Sequence, residues 1–194
     1  MSFFNRVELI VKGAVVQRML NKDPNEILMG FSSVYKSTNV YDIFMAHSYR
    51  DATIILGLVK TIEELGFTIY VDWIDDPYLN RSDVTKETAN LLKSRMTSCK
   101  SLFFVISSTS PGSKWMPWEL GYFDGIKGKV AILPIVDIEI STEIYEGQEY
   151  LGLYPYITRG NDTNQQFHIW VNESENVYIG LTAWLKGQNP INHS

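Results

Sequence analysis

The sequence predicts an α/β fold in which a parallel sheet is covered by helices on both faces. Three observations predict it: runs of near-continuous apolar residues, helical stretches of apolar periodicity between them, and Gly66 standing where the first such helix should stop. An apolar run without alternation marks a strand buried on both sides, as the strands of parallel sheets are. Strands alternating with helices form the pattern of a doubly wound domain.

The elements follow in chain order. Residues 1–39 read as an N-terminal helical extension and linker: an apolar helical stretch from Val7 to Leu20, the breaker Asn21-Lys22-Asp23-Pro24-Asn25, and a polar linker from Ser32 to Asn39. The central unit, residues 40–137, begins with the strand Tyr41–Ala46. Ile54, Ile55, Leu58, Val59, Ile62 and Leu65 then recur at helical spacing, and Gly66 is placed to end that helix. Phe67–Val71 is the second strand, Thr85–Met96 the second helix and Ser101–Ser107 the third strand. Pro117–Ile126 is the third helix and Lys129–Val136 the fourth strand, where Pro134 argues for a strand end or a sheet edge. Residues 138–194 carry Tyr145, Tyr150, Tyr154, Tyr156, Trp170, Tyr178 and Trp184, and read as an aromatic-rich extension packed on the central unit.

Composition removes several function classes. The 194 residues carry a formal charge of -5, which leaves no broad basic surface for nucleic acid. The single cysteine, Cys99, rules out an internal disulfide and a multi-thiolate zinc site and fits a reducing compartment. His47, His168 and His193 lack metal-ligand spacing, so no metal is expected. Charges at Arg6, Glu8, Lys12 and Arg18 interrupt the N-terminal apolar run, and no stretch approaches a membrane span; a cytoplasmic protein is expected. Neither G-x-G-x-x-G nor a P-loop lysine motif is present, against nicotinamide redox and common NTPase chemistry.

In an open parallel sheet, ligands bind beyond the carboxyl ends of the strands. After the first strand come His47-Ser48-Tyr49-Arg50-Asp51; after the second, Asp72-Trp73-Ile74-Asp75-Asp76; after the third, Ser107 to Ser113, followed by Trp115 and Glu119. All three loops carry polar, charged or aromatic residues. Trp115 and Glu119 are four apart and share a helix face. With Pro117 as the first helical residue, where its missing N–H costs nothing, Glu119 falls at the third position. There the helix dipole favours a charged carboxylate, and burial beside Trp115 and Trp118 opposes it. Asp42, Asp72 and Asp75 also resemble the acidic pocket of a response regulator, but Pro134 stands where such a domain would carry its lysine.

Four blocks together carry a family resemblance: Tyr41 to Asp51, Leu65 to Asp72, Cys99 to Ser107, and Ser113-Lys114-Trp115 with Trp118-Glu119-Leu120. In order and spacing they resemble a TIR domain over about residues 40–137, of the prokaryotic antiphage type similar to Thoeris TIR signalling proteins. The usual cysteine after the tryptophan is absent, Met116 and Pro117 standing in that region. The resemblance implies a flavodoxin-like fold and cleavage of NAD at the nicotinamide glycosidic bond, with NAD as substrate and no cofactor. It implies Glu119 as the catalytic residue, and an ADP-ribose-derived product that acts on a separate effector. Self-association through TIR domains is implied too.

Nicotinamide in NAD is a pyridinium and already an activated leaving group, so a single carboxylate that stabilises positive charge on the ribose suffices. Around it, Arg50 is a candidate for the pyrophosphate, Trp115 for stacking on nicotinamide or adenine, and Ser48 and Tyr49 for the ribose border. His47, Asp72 and Trp73 complete the substrate-binding set. Two alternatives share this fold: a non-enzymatic TIR scaffold presenting the loop from Asp75 to Arg81, and a nucleoside N-glycosidase that also uses one glutamate.

Overall fold

The computed structural model describes residues 1–33, 39–71, 85–108, 110–113, 115–137 and 149–194, of which 31–33 and 112 by backbone alone. The chain opens with a two-residue strand, β1 (Phe4–Asn5), and passes directly into helix α1 (Arg6–Leu20). Asn5 is extended, and its side-chain oxygen accepts the N–H groups of Val7 and Glu8 at 2.9 and 3.2 Å, satisfying two open donors of the first turn. Asn21 closes α1 from the left-handed region at φ 49°. A second helix, α2 (Pro24–Ser33), stands where the sequence reading has a breaker and a linker. Its proline is the first helical residue, a position that needs no N–H.

The middle of the chain follows the sequence reading, with ends shifted by at most two residues. β2 (Tyr41–Ala46), α3 (Ala52–Glu63), β3 (Ile69–Val71), α4 (Lys86–Thr97), β4 (Cys99–Ile106), α5 (Trp115–Lys127) and β5 (Val130–Val136) alternate as expected. Gly66 holds φ 86°, and its N–H reaches the Glu63 carbonyl at 2.8 Å, which is the helix stop its sequence position implies. Then come β6 (Tyr156–Asn161), β7 (Phe167–Ser174), β8 (Val177–Gly180), α6 (Leu181–Leu185) and β9 (Ile191–Asn192).

Among the described residues these strands make one nine-stranded sheet, ordered β3-β2-β4-β5-β6-β7-β8-β9, with β1 also on β5. The five strands from β3 to β6 are parallel, and β6 to β9 continue antiparallel. The parallel part has the flavodoxin-like order, and its direction of winding reverses between β2 and β4. The last 39 residues are therefore sheet as much as covering layer: β6 pairs with β5 at Tyr156 and Ile132.

Side chains alternate between two cores. Ile43, Met45, Phe103, Val105, Ala131 and Leu133 face the layer of α1, α2, α3 and α6. Phe44, Ala46, Leu102, Phe104, Val130 and Ile132 face α4 and α5. Strands buried on both sides explain the unbroken apolar runs. On the first face α1 crosses α3 at two glycines, where a β-carbon on Gly13 would stand 2.1 Å from the Thr53 carbonyl oxygen, and one on Gly57 2.0 Å from that of Leu9. The two backbones touch there because neither residue has a side chain.

Pro134 corrects the sequence reading, because β5 is an interior strand. The Ile132 N–H points to the β6 side, where it donates to the Pro155 carbonyl at 2.8 Å, so position 134 points the same way. Pairing on that side passes from β6, at Ile132, to β1, at Ile135 and Val136. Pro134 sits in the gap between them, where a missing N–H costs no ladder bond.

Asp42 lies at the amino end of β2, opposite the loops of the candidate site, so it takes no part in an acidic pocket there. It ties three elements together. Its carboxylate accepts the Thr68 N–H and hydroxyl, each at 2.9 Å, and the Lys100 ammonium at 2.8 Å. Burial acts to raise the Asp42 pKa, but these donors outweigh it and hold the group below its ordinary value. A carboxylate depressed on folding contributes stability above its unfolded-state pKa of about 4 and loses it as pH falls through the folded-state value. Asp42→Asn is expected to cost about 1 kcal/mol at neutral pH and much less near pH 2. Urea unfolding at the two pH values checks this; equal losses at both would show that charge is not what ties the strands.

Cys99 is buried at the start of β4, and burial pushes its thiol up to about 12, against an opposing pull from the Lys127 ammonium. Such a thiol stays protonated and is chemically quiet.

Candidate functional site

The reversal of winding places the crevice of the sheet between the carboxyl ends of β2 and β4, which are hydrogen-bonded neighbours up to Ala46 and Phe104. The loops leaving these two strands are joined. The Ser107 hydroxyl donates to the Asp51 carboxylate at 2.5 Å, with both residues buried. Ser110 reinforces the second loop: its hydroxyl donates to the Ser107 carbonyl at 2.9 Å and accepts the Ser107 N–H at 3.2 Å. Asp51 and Ser107 appear in the sequence only as loop residues; 56 positions separate them, and no local pattern announces the bond.

The candidates from the first loop divide. His47 and Ser48 are buried at the end of β2, and His47 Nδ1 lies 2.9 Å from the Met45 carbonyl oxygen. Tyr49 and Arg50 form a short 3₁₀ turn with Asp51 and are exposed. The Arg50 guanidinium lies 5.8 Å from the Tyr49 ring centroid, and the hydrogen bond to the Tyr49 hydroxyl raises its pKa further. Both residues line a cleft of about 550 Å³ with Asp51, Arg6, Ile10 and Asn25, on the face of the sheet that carries α1, α2 and α3. Arg6 also donates to the Ser108 hydroxyl at 3.1 Å and to the Asp137 carboxylate at 3.2 Å, so it spans the ends of β4 and β5. Sequence reasoning passes over Arg6, because its partners lie 102 and 131 residues away.

Trp115 and Glu119 belong to the opposite face. Helix α5 begins at Trp115 rather than Pro117, since the first four N–H groups of any helix lack intrahelical partners and a proline fits among them. Glu119 is thus the fifth helical residue, in the second turn, and the first-turn dipole argument does not apply to it. It lies on the buried stripe of α5 with Met116, Leu120 and Phe123, and is 3 % exposed. Trp115 is half-buried one turn before it and meets Trp118 edge-on at 5.4 Å; Trp118 in turn stacks on Tyr122 at 5.7 Å. A carboxylate under so much aromatic and aliphatic surface is screened from water, which strengthens its effect on any nearby cation.

Asp72 and Trp73 lie outside the described residues, as does the 75–81 loop of the scaffold alternative. A second cleft, of about 510 Å³, opens between the end of α3 and the β7–α6 region and includes Phe67, His168, Trp170 and Lys186, but none of the sequence-derived site residues. Among the described residues no helix is long and apolar enough to cross a membrane.

No family model matches the chain. A Bacillus cereus (strain MSX-D12) protein named "Probable 3' cyclic ADP-D-ribose synthase ThsB'" is 52% identical over 167 residues, which covers 86% of either chain. A Cytobacillus dafuensis protein named "Putative cyclic ADP-D-ribose synthase TIR2" is 36% identical over 92 residues, covering 47% of this chain and 24% of that one.

Proposed function

Since the chain belongs to the Thoeris-type TIR family, whose relatives carry the name cyclic ADP-D-ribose synthase, we propose that it consumes NAD to make a cyclic ADP-ribose signal for a separate antiphage effector. The observation that supports the reading within the molecule is Glu119, a carboxylate buried on the sheet-facing stripe of α5, on the helix that leaves the carboxyl edge of β4. Burying a carboxylate is costly, and a role in the chemistry is a reason to bear that cost.

In the proposed reaction the bond between the ribose anomeric carbon and the pyridinium nitrogen breaks, and the nitrogen keeps the electron pair as neutral nicotinamide leaves. A hydroxyl oxygen of the same ADP-ribose bonds to the anomeric carbon and gives up one proton, so no water is consumed. The Glu119 carboxylate stabilises the positive charge that develops on the ribose. Hydrolysis to linear ADP-ribose differs only in its nucleophile, so exclusion of water favours ring closure. Arg50 pairs with the pyrophosphate, Ser48 and Tyr49 border a ribose beside His47, and Trp115 stacks on a planar ring; Asp72 and Trp73 belong to the same substrate-binding set. Arg50 and Trp115 stand on opposite faces, and an extended dinucleotide laid over the crevice between β2 and β4 joins them.

The test is incubation of the purified protein with NAD, with and without crowding agent, followed by mass spectrometry. Nicotinamide together with a product of the mass of NAD less nicotinamide is expected. A product heavier by one water would keep cleavage and remove cyclisation; intact NAD in every condition would remove both.

A further inference from the structure

Helix α1 is apolar on two opposite faces. Leu9 and Gly13 are buried against α3, yet Val7, Val11, Val15 and Met19 form a row at four-residue spacing that is 60%, 59%, 42% and 79% exposed. Ile10, 38% exposed, widens it. A helix with apolar residues all round normally has cover on every side, and a contiguous exposed apolar stripe on a folded protein marks a contact surface.

The charges on this face say what covers it. Lys12 turns away to pair with Glu64 at 2.5 Å. Two charged residues remain at the stripe: Glu8 near the amino end and Arg18 near the carboxyl end. Arg18 has no ion-pair partner among the described residues. We propose that the α1 stripe is a self-complementary surface on which a second copy of this chain docks its own α1, antiparallel, about a two-fold axis level with Gly13.

That axis sets Val11 against Val15 of the second copy and Val7 against its Met19. Glu8 meets Arg18 of the second copy, and the symmetry makes this pair twice. Parallel docking sets like charges together and is disfavoured. Glu8 already pairs with Arg159 of its own chain, so each docked pair extends an existing network. Rim charges of this kind fix orientation more than affinity. One helix against its copy is smaller than a standard interface, so the dimer forms at micromolar concentration and dissociates on dilution. Arg6, which heads α1, lines the cleft of Tyr49 and Arg50, so a clamped α1 also holds one wall of that cleft.

Sedimentation velocity of the full chain across micromolar concentrations tests the proposal. Wild type is expected to shift from monomer to dimer, and Val11→Asp or Val15→Asp to raise the dissociation constant at least about tenfold. Both positions are exposed, and circular dichroism verifies that the variants fold. Arg18→Glu should weaken the dimer, and adding Glu8→Arg to it should restore association, which a merely adhesive apolar patch would not do. A monomer at every concentration overturns the proposal, as does a dimer indifferent to both valine variants. Monomers that instead co-sediment with phosphatidylglycerol vesicles through Val11 assign the stripe to a lipid surface and overturn it equally.

Discussion

Glu119→Gln is expected to lower the rate of nicotinamide release from NAD by roughly two to three orders of magnitude while leaving the fold intact. The substitution replaces one carboxylate oxygen by an amide nitrogen and keeps the shape of the side chain. Glu119 sits among Met116, Leu120 and Phe123 on the buried stripe of α5. A glutamine fills the same volume there, whereas alanine would open a cavity and mix a packing defect with the chemical one. The size follows from the proposed role: a fixed carboxylate facing a developing cation in a dry site acts mainly in the transition state, so its loss falls on kcat more than on KM. Release rates measured by chromatography, with thermal melting as the fold control, decide the matter. A loss of less than about tenfold with unchanged melting would move the catalytic carboxylate elsewhere.

The second large effect is structural. Gly57→Ala is expected to destabilise the protein by about 2–4 kcal/mol, although alanine is the better helix former by about 1 kcal/mol. The new β-carbon would stand 2.0 Å from the Leu9 carbonyl oxygen, 2.8 Å from the Leu9 carbonyl carbon and 3.1 Å from the Gly13 nitrogen, all backbone atoms that no rotamer can move aside. The helices must separate instead, and α1 carries Arg6 with it. For a chain of this size such a loss lowers Tm by about 5–15 °C. Gly121→Ala in α5 is the control, because its β-carbon would meet nothing within 4 Å. If Gly57→Ala melts no lower than Gly121→Ala, the close crossing does not contribute as described.

Particular elements show how much of this was legible beforehand. The middle strands declare themselves because burial on both faces leaves no polar residue to break the run, and Gly66 declares the helix stop because few other residues hold φ 86° cheaply. β1 escaped because two residues have no period, and α2 because Pro24 reads as a breaker when it is in fact a first helical residue. The strands β6 to β9 were hidden behind their aromatic content. In β7, Ile169 and Val171 turn inward between half-buried His168 and Trp170, an alternation that was present to be read. At the candidate site, the loops and the Trp115–Glu119 spacing lie within short windows. The Asp51–Ser107 bond and the reach of Arg6 join distant segments, and no single window contains them.

The insertion of β1 has a consequence for the order in which the molecule is assembled. Phe4 and Asn5 pair with Ile135 and Val136, and Ser2 bridges to Arg159 on the strand beyond. Phe4 and Asn5 therefore find their neighbours only after the chain has been made as far as Val136, and Ser2 only after Arg159. Contacts so distant in sequence form slowly, and during synthesis the leading segment must wait for a slot that is not yet built. β1 thus locks only after β5 exists, and it fills the gap beside β5 from which α1 departs.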